Sequence, residues 1–195
     1  MPGLLEIVYL ILAAGWLFLP AVLANMSPVF VGGGKPVDLG KNFFDGRRLL
    51  GDGKTIRGTI GGAMIGFLVG TIQIIILAAV GGLDTMWSFG DNYYAFIIVL
   101  LIAFGALFGD LLGSFLKRRL NFKRGAKFPI MDQYDLVIGV IILLLILPFS
   151  RSWFLGSFIY HPHWITILGI ILGTYLVHRI SNLVAYKIGK KDVPW

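Results

Sequence analysis

Asp110, Ser114, Lys117 and Arg118 stand at i, i+4, i+7 and i+8 where an apolar run gives way to cations, so a continuing helix stacks them on one face. Asp132 and Asp135, three residues apart, share a face where the next apolar run begins. Carboxylates beside Lys and Arg suit a polyphosphate with its metal. Mg2+ takes one or two carboxylates plus phosphate oxygens and water, and the cations neutralise the remaining phosphate charge. The structural alternative for Asp110 is a salt bridge to a neighbouring Arg, given the many nearby cations. The chain has no Cys, which removes thiolate metal sites and disulfides. Of its three His residues, His161 and His163 read as polar residues at the bilayer surface, and His178 is isolated in the last apolar run.

A second group of candidates precedes Asp110. The stretch from Asn25 to Gly62 is rich in Gly and ends in Lys54, Thr55, Arg57 and Gly58 just before an apolar run. Backbone N–H groups of a Gly-rich segment can approach an anion closely, and a helix start carries partial positive charge. The Walker spacing is absent, and Gly32-Gly33-Gly34 can equally be a turn. Gly58, Gly62, Gly66 and Gly70 recur every four residues, a stripe for close helix packing inside a subunit or between two copies.

The elements that must position these groups are membrane helices. Hydrophobic residues make up 57% of the 195-residue chain and its mean hydropathy is +0.84, too apolar for a water-soluble domain. Five apolar runs predict an all-α integral membrane protein with a single transmembrane catalytic domain over residues 1–195: Leu4 to Ala24, Thr59 to Leu83, Tyr93 to Leu112, Leu136 to Phe149 and Trp164 to Val184. The fourth is short and borrows Tyr134 and Asp135. No cation precedes the first, which reads as a permanent span rather than a secretion signal.

Of 17 Lys and Arg, six lie between the first two runs, six between the third and fourth, four near the C-terminus, and only Arg151 elsewhere. That asymmetry predicts two long cytoplasmic loops, a cytoplasmic C-terminus and an outside N-terminus. Topology and attraction to anionic lipid account for the cations. They do not account for the seven of ten acidic residues expected on the same side. The aromatic stretch SWFLGSFIYHPHW reads as an interfacial belt on the outer side, where no chemistry is expected.

The two candidate stretches together resemble a family. GDLLGSFLKRRLNFK is similar to the signature of the membrane CTP-dependent phosphatidate cytidylyltransferases, or CDP-diacylglycerol synthases: Gly-Asp-Leu, then Ser-x-x-Lys-Arg, then a Lys, then Asp-Arg-x-Asp. GDGKTIRGTIGG is similar to that family's Ser-Pro-x-Lys-Thr-x-x-Gly-x-x-Gly-Gly element, with Gly51 to Gly53 in place of the Ser-Pro. Nearly the whole chain resembles the family's archaeal branch, the CDP-archaeol synthases. It departs from the bacterial pattern in Arg124, in Gln133 in place of Arg, and in lacking Pro-Gly-His-Gly-Gly.

The resemblance implies that Asp110 and Asp132 hold Mg2+ with Asp135 as helper. It implies that Lys117, Arg118, Lys54, Arg57 and Lys123 grip the CTP triphosphate, and that Ser114, Thr55 and Asn25 orient it. The implied reaction joins CMP to a lipid phosphate carrying isoprenoid ether chains. The implied setting is the cell membrane with the site facing the cytoplasm, a homodimer among the expected assemblies, and no nucleic-acid partner. A diacyl lipid acceptor and a CTP-dependent lipid kinase are the alternatives. A transporter, the non-enzyme alternative, calls for charges at mid-span and repeated halves, which the sequence lacks.

Overall fold

The computed structural model describes residues 3–122, 126, 128, 131–160 and 164–189. Among the described residues, seven helices follow one another: α1 (Leu4–Met26), α2 (Pro28–Val31), α3 (Ile56–Ala79), α4 (Asn92–Arg119), α5 (Met131–Ile146), α6 (Pro148–Phe158) and α7 (Trp164–Lys187). No strand occurs among the described residues. Among the described residues, four stretches are long and apolar enough to cross a membrane: residues 4–31, 56–79, 92–119 and 164–187.

The expected fourth span, Leu136 to Phe149, differs. Its helix starts earlier, at Met131, so that Tyr134 and Asp135 do join it, and it stops at Ile146 because Pro148 opens α6 as a separate helix. Ser150 fixes the corner, its hydroxyl donating to the Leu144 and Leu147 carbonyls at 2.7 and 3.0 Å. Sixteen residues rise only about 24 Å, yet α5 runs from one end of the bundle to the other. It begins beside the end of α4, and α6 after it anchors Trp153 by an indole hydrogen bond to the Ser88 carbonyl, in the segment joining α3 to α4. The described part of the aromatic stretch packs into the bundle. Phe154 and Phe158 are buried, and Trp153 stacks on Phe89.

Glycine lets the helices approach. The α3 stripe faces two neighbours within one chain: a Cβ on Gly66 would lie 2.7 Å from the Pro20 carbonyl of α1 and 2.8 Å from Ala103 of α4. A second stripe, Gly105, Gly109 and Gly113 on α4, receives α5. There a Cβ on Gly109 would come within 1.9 Å of the Asp135 carbonyl oxygen, and one on Gly139 within 2.2 Å of the Gly105 carbonyl. Backbone rests on backbone at this crossing. Pro20 lacks the N–H that would bond the Trp16 carbonyl, and the Gln73 amide of α3 donates to that oxygen instead at 2.8 Å.

The segment between α2 and α3 folds around Asp38, which is 5% exposed. Its carboxylate accepts the Gly40, Leu50 and Gly51 N–H groups at 3.1, 3.0 and 2.9 Å, and Arg48 donates to both of its oxygens. Burial opposes the charge, but Arg48 and these N–H groups outweigh it and hold the pKa far below the usual carboxylate range. A lowered folded pKa stabilises above the unfolded value near 4, and the effect fades as pH falls through the lower folded value. Asp38→Asn should therefore destabilise this segment by about 1–3 kcal/mol at neutral pH. Limited proteolysis between residues 32 and 55 measures it, and the difference from the unsubstituted chain should shrink in acid.

Candidate active site

The segment folded around Asp38 delivers Lys54 to the last third of α4. Lys54 Nζ lies 2.6 Å from both oxygens of Asp110, so Asp110 does carry a salt bridge, but to a Lys of the first loop and not to a neighbouring Arg. Burial works against the Lys54 charge, yet Asp110, then Asp135 and Asp132, outweigh it and raise its pKa. A raised pKa means that the pairing holds at neutral pH and is lost only as pH climbs through and beyond the ordinary lysine range.

The glycine crossing brings α5 into the same place. Asp135 is 6% exposed, and its Oδ2 lies over Gly113, 3.2 Å from where a Cβ would stand. Asp132, at the start of α5, accepts the Phe128 N–H at 3.0 Å and pairs with Lys117 Nζ at 2.5 Å. α4 stays helical to Arg119, as the spacing of Asp110, Ser114, Lys117 and Arg118 requires.

Three consecutive cations then have three different surroundings. Lys117 turns to Asp132. Arg118 forms no ion pair among the described residues, and its buried Nε has no hydrogen-bond partner. Arg119 ties the first loop down: it donates to Asp45 at 2.8 Å and to the Arg48 carbonyl at 2.6 Å, and its guanidinium stacks between the Phe43 and Phe115 rings at 4.8 and 5.0 Å.

Of the other expected site residues, Ser114 is half-buried one turn beyond Asp110, and Arg57 is exposed on the first turn of α3. Thr55 caps α3: its hydroxyl accepts the Gly58 N–H at 3.1 Å and the Gly33 N–H at 3.2 Å. The glycine run is thus a turn closed on Thr55, with Gly33 and Gly34 both at positive φ. Lys123 lies outside the described residues. Asn25 lines a cavity of about 300 Å³ that reaches Lys54 and Asp110. Thr174 and Asn182 of α7 line it too, residues that sequence reasoning passed over. A polar residue inside an apolar run was the available signal. Among the described residues, no three acidic or His side chains gather closely enough to form a metal cage.

A profile of the CDP-archaeol synthase (CarS-like) family matches residues 7–195. The chain belongs to the CDP-archaeol synthase family. It is 44% identical over 181 residues to the CDP-archaeol synthase of Methanosarcina barkeri, covering 91% of this chain and 99% of that one. It is 43% identical over 186 residues to the CDP-archaeol synthase of Methanocaldococcus jannaschii, covering 95% and 98%. It also superposes with a TM-score of 0.65 on a solved intramembrane enzyme of archaeal membrane lipid biosynthesis, at 35% identity over 91% of this chain and 94% of that one. Membership in the CDP-archaeol synthase family makes the chain a membrane-embedded cytidylyltransferase, and the cluster around Asp110 is its candidate active site.

Proposed function

We propose that this enzyme transfers CMP from CTP to an isoprenoid ether lipid phosphate, 2,3-bis-O-geranylgeranylglycerol 1-phosphate, giving CDP-archaeol and pyrophosphate. The observation that carries the reading is the convergence of Asp110, Asp135 and Asp132 on Lys54, with Lys117 paired to Asp132 and the Lys54–Asp110 pair facing a cavity. An oxygen of the lipid phosphate forms a bond to the α-phosphorus of CTP. The bond from that phosphorus to the α,β-bridging oxygen breaks, and pyrophosphate leaves with the electron pair. A phosphate monoester has its second pKa near 6, so at neutral pH the nucleophile is already largely ionised and needs no strong base. Lys54, Lys117 and Arg118 neutralise phosphate charge and align the triphosphate, which is most of the catalysis that phosphate chemistry requires.

The donor set fits Mg2+ of the kind that keeps several waters and takes one or two carboxylates with substrate oxygens, because hard carboxylate oxygens are available and a full protein cage is not needed. Asp110, with Asp132 or Asp135, would hold the ion. When bound, it would offset charge on the triphosphate. Lys54 and Lys117 pair with Asp110 and Asp132, which places both ammonium groups where they would also meet substrate phosphate.

Incubating the purified protein with CTP, Mg2+ and the ether lipid phosphate should release pyrophosphate. Release of CDP instead would make it a lipid kinase, and a preference for diacyl phosphatidate would move the acceptor class. Lys117→Ala or Arg118→Ala should weaken CTP binding by about 1.5–3 kcal/mol, the range for a hydrogen bond to a charged group, with the fold intact. Isothermal titration with CTP checks it, and unchanged affinity in both would leave the cluster as a topology signal.

The sixteen-to-one cation asymmetry supports a cytoplasmic site. In this chain without native Cys, Phe44→Cys should react with an impermeant thiol reagent only in inside-out vesicles, and Asp84→Cys only in right-side-out ones. Reversed labelling would invert the topology.

A further inference from the structure

The cavity touches Lys54 and Asp110 but neither Lys117, Arg118 nor Asp132, although all belong to one cluster. Its walls explain the division. On one side stand Val22, Asn25, Met26, Val29 and Phe30, an i, i+3, i+4, i+7, i+8 stripe running from α1 into α2. On the other stand Thr174, Val177, Asn182 and Ala185 of α7. A nucleotide triphosphate would find few cations there. A molecule with one anionic head and an apolar body would find Lys54, Asn25 and Asn182 for its head, and Val22, Val29, Phe30 and Val177 for its body.

Resting on the function proposed above, we infer that this cavity between α1–α2 and α7 is the acceptor subsite, with Asn25 and Asn182 receiving the phosphoglycerol head of the lipid, while CTP occupies the Lys117–Arg118 side. Asn25 accordingly moves from the nucleotide to the lipid. The two substrates meet at Lys54 and Asp110, the pair that borders both sides. A volume of about 300 Å³ lies at the small end for ligand pockets, enough for a head group and the first carbons of its chains. The rest of each chain then leaves between α1 and α7 into the bilayer. Asn182 is 7% exposed and Thr174 is 4% exposed, so their polar atoms address the protein interior rather than lipid solvent.

The test separates the two substrates. Asn182→Leu should raise the KM for lipid phosphate about tenfold or more, as loss of a hydrogen bond to a charged group would. The KM for CTP and the thermal stabilisation given by CTP with Mg2+ should stay as in the unsubstituted enzyme. Ala185→Trp, which fills the cavity wall, should show the same split. If either variant fails to fold, Asn182→Asp keeps the shape and sets a negative charge against the phosphate, and it should show the split too. Binding is read apart from turnover: a dialkylglycerol phosphate in detergent micelles should raise the melting temperature of the unsubstituted protein and not of Asn182→Asp. Inorganic phosphate and glycerol phosphate should do neither, which sets lipid apart from free phosphate. Weakened CTP binding in the α7 variants, or lipid stabilisation that survives in Asn182→Asp, overturns the subsite. Lipid binding lost in Asn182→Asp, in a protein that releases no pyrophosphate with any lipid phosphate, would instead leave the subsite standing and remove the proposed reaction.

Discussion

Asp110→Asn is expected to cut pyrophosphate release by about a hundred-fold or more, the loss typical when one preorganised charge-stabilising group leaves a site. Asn preserves the size of the side chain and removes its charge. Lys54, now held at 2.6 Å by both carboxylate oxygens, would lose its strongest partner, and the ion that Asp110 would hold against the triphosphate would lose a ligand. The bundle should survive, because α4 is fixed by its glycine crossings and by Arg119 rather than by this pair. Thermal unfolding with and without CTP and Mg2+ is the control, since a ligand that binds only the folded state raises the transition. Lys117 and Arg118 should preserve part of the nucleotide response. Undiminished turnover in Asp110→Asn would reduce this carboxylate to a salt-bridge partner.

Gly109→Ala should be the most damaging small substitution for the fold. Its methyl group would fall 1.9 Å from the Asp135 carbonyl oxygen, and neither helix backbone can turn aside as a side chain could. α4 and α5 would have to separate, at a cost of about 3 kcal/mol or more, the upper part of the overpacking range. Asp135 and Asp132 would move away from Asp110 with α5. Loss of melting temperature in detergent should therefore accompany loss of activity. Gly173→Ala on α7 is the comparison: nothing lies within 4 Å of its Cβ position, and it should be neutral or slightly stabilising.

The sequence carried the long spans and the polar face of α4 plainly, because both depend only on local spacing. Lys54, Asp110, Asp132 and Asp135 could be placed on one side of the membrane by the charge asymmetry and drawn into one site by the family resemblance. The specific pairings could not. Asp38 finds Arg48, and Arg119 finds Asp45, only through turns that put Leu39, Gly40, Gly46 and Gly51 at positive φ. The Gly105, Gly109, Gly113 stripe has the same four-residue period as Gly58 to Gly70, but it lies within the stretch read for chemistry, where Asp110 and Ser114 draw the eye. Pro148 was in view, yet whether it ends a span or kinks it is decided by Ser150 and the packing of α6. Asn182 and Thr174 stayed unread because a face of α7 acquires meaning only when its neighbour, the α1–α2 stripe, is known.

The length of α4 bears on how the enzyme meets its substrate. Its 28 residues rise about 42 Å, well beyond a hydrocarbon core of about 30 Å. Asp110 stands eighteen residues after Asn92, or about 27 Å along the axis, close to the thickness of a hydrocarbon core, and Lys117 lies about 10 Å further along. On the function proposed above, a phosphate anchored in the leaflet would reach Asp110 without being lifted out, while a dissolved nucleotide would meet the cations beyond it. Encounter with the lipid is then a search in two dimensions, governed by its mole fraction in the membrane. Diluting the lipid with inert detergent at constant bulk concentration should slow the enzyme, as a surface reaction requires.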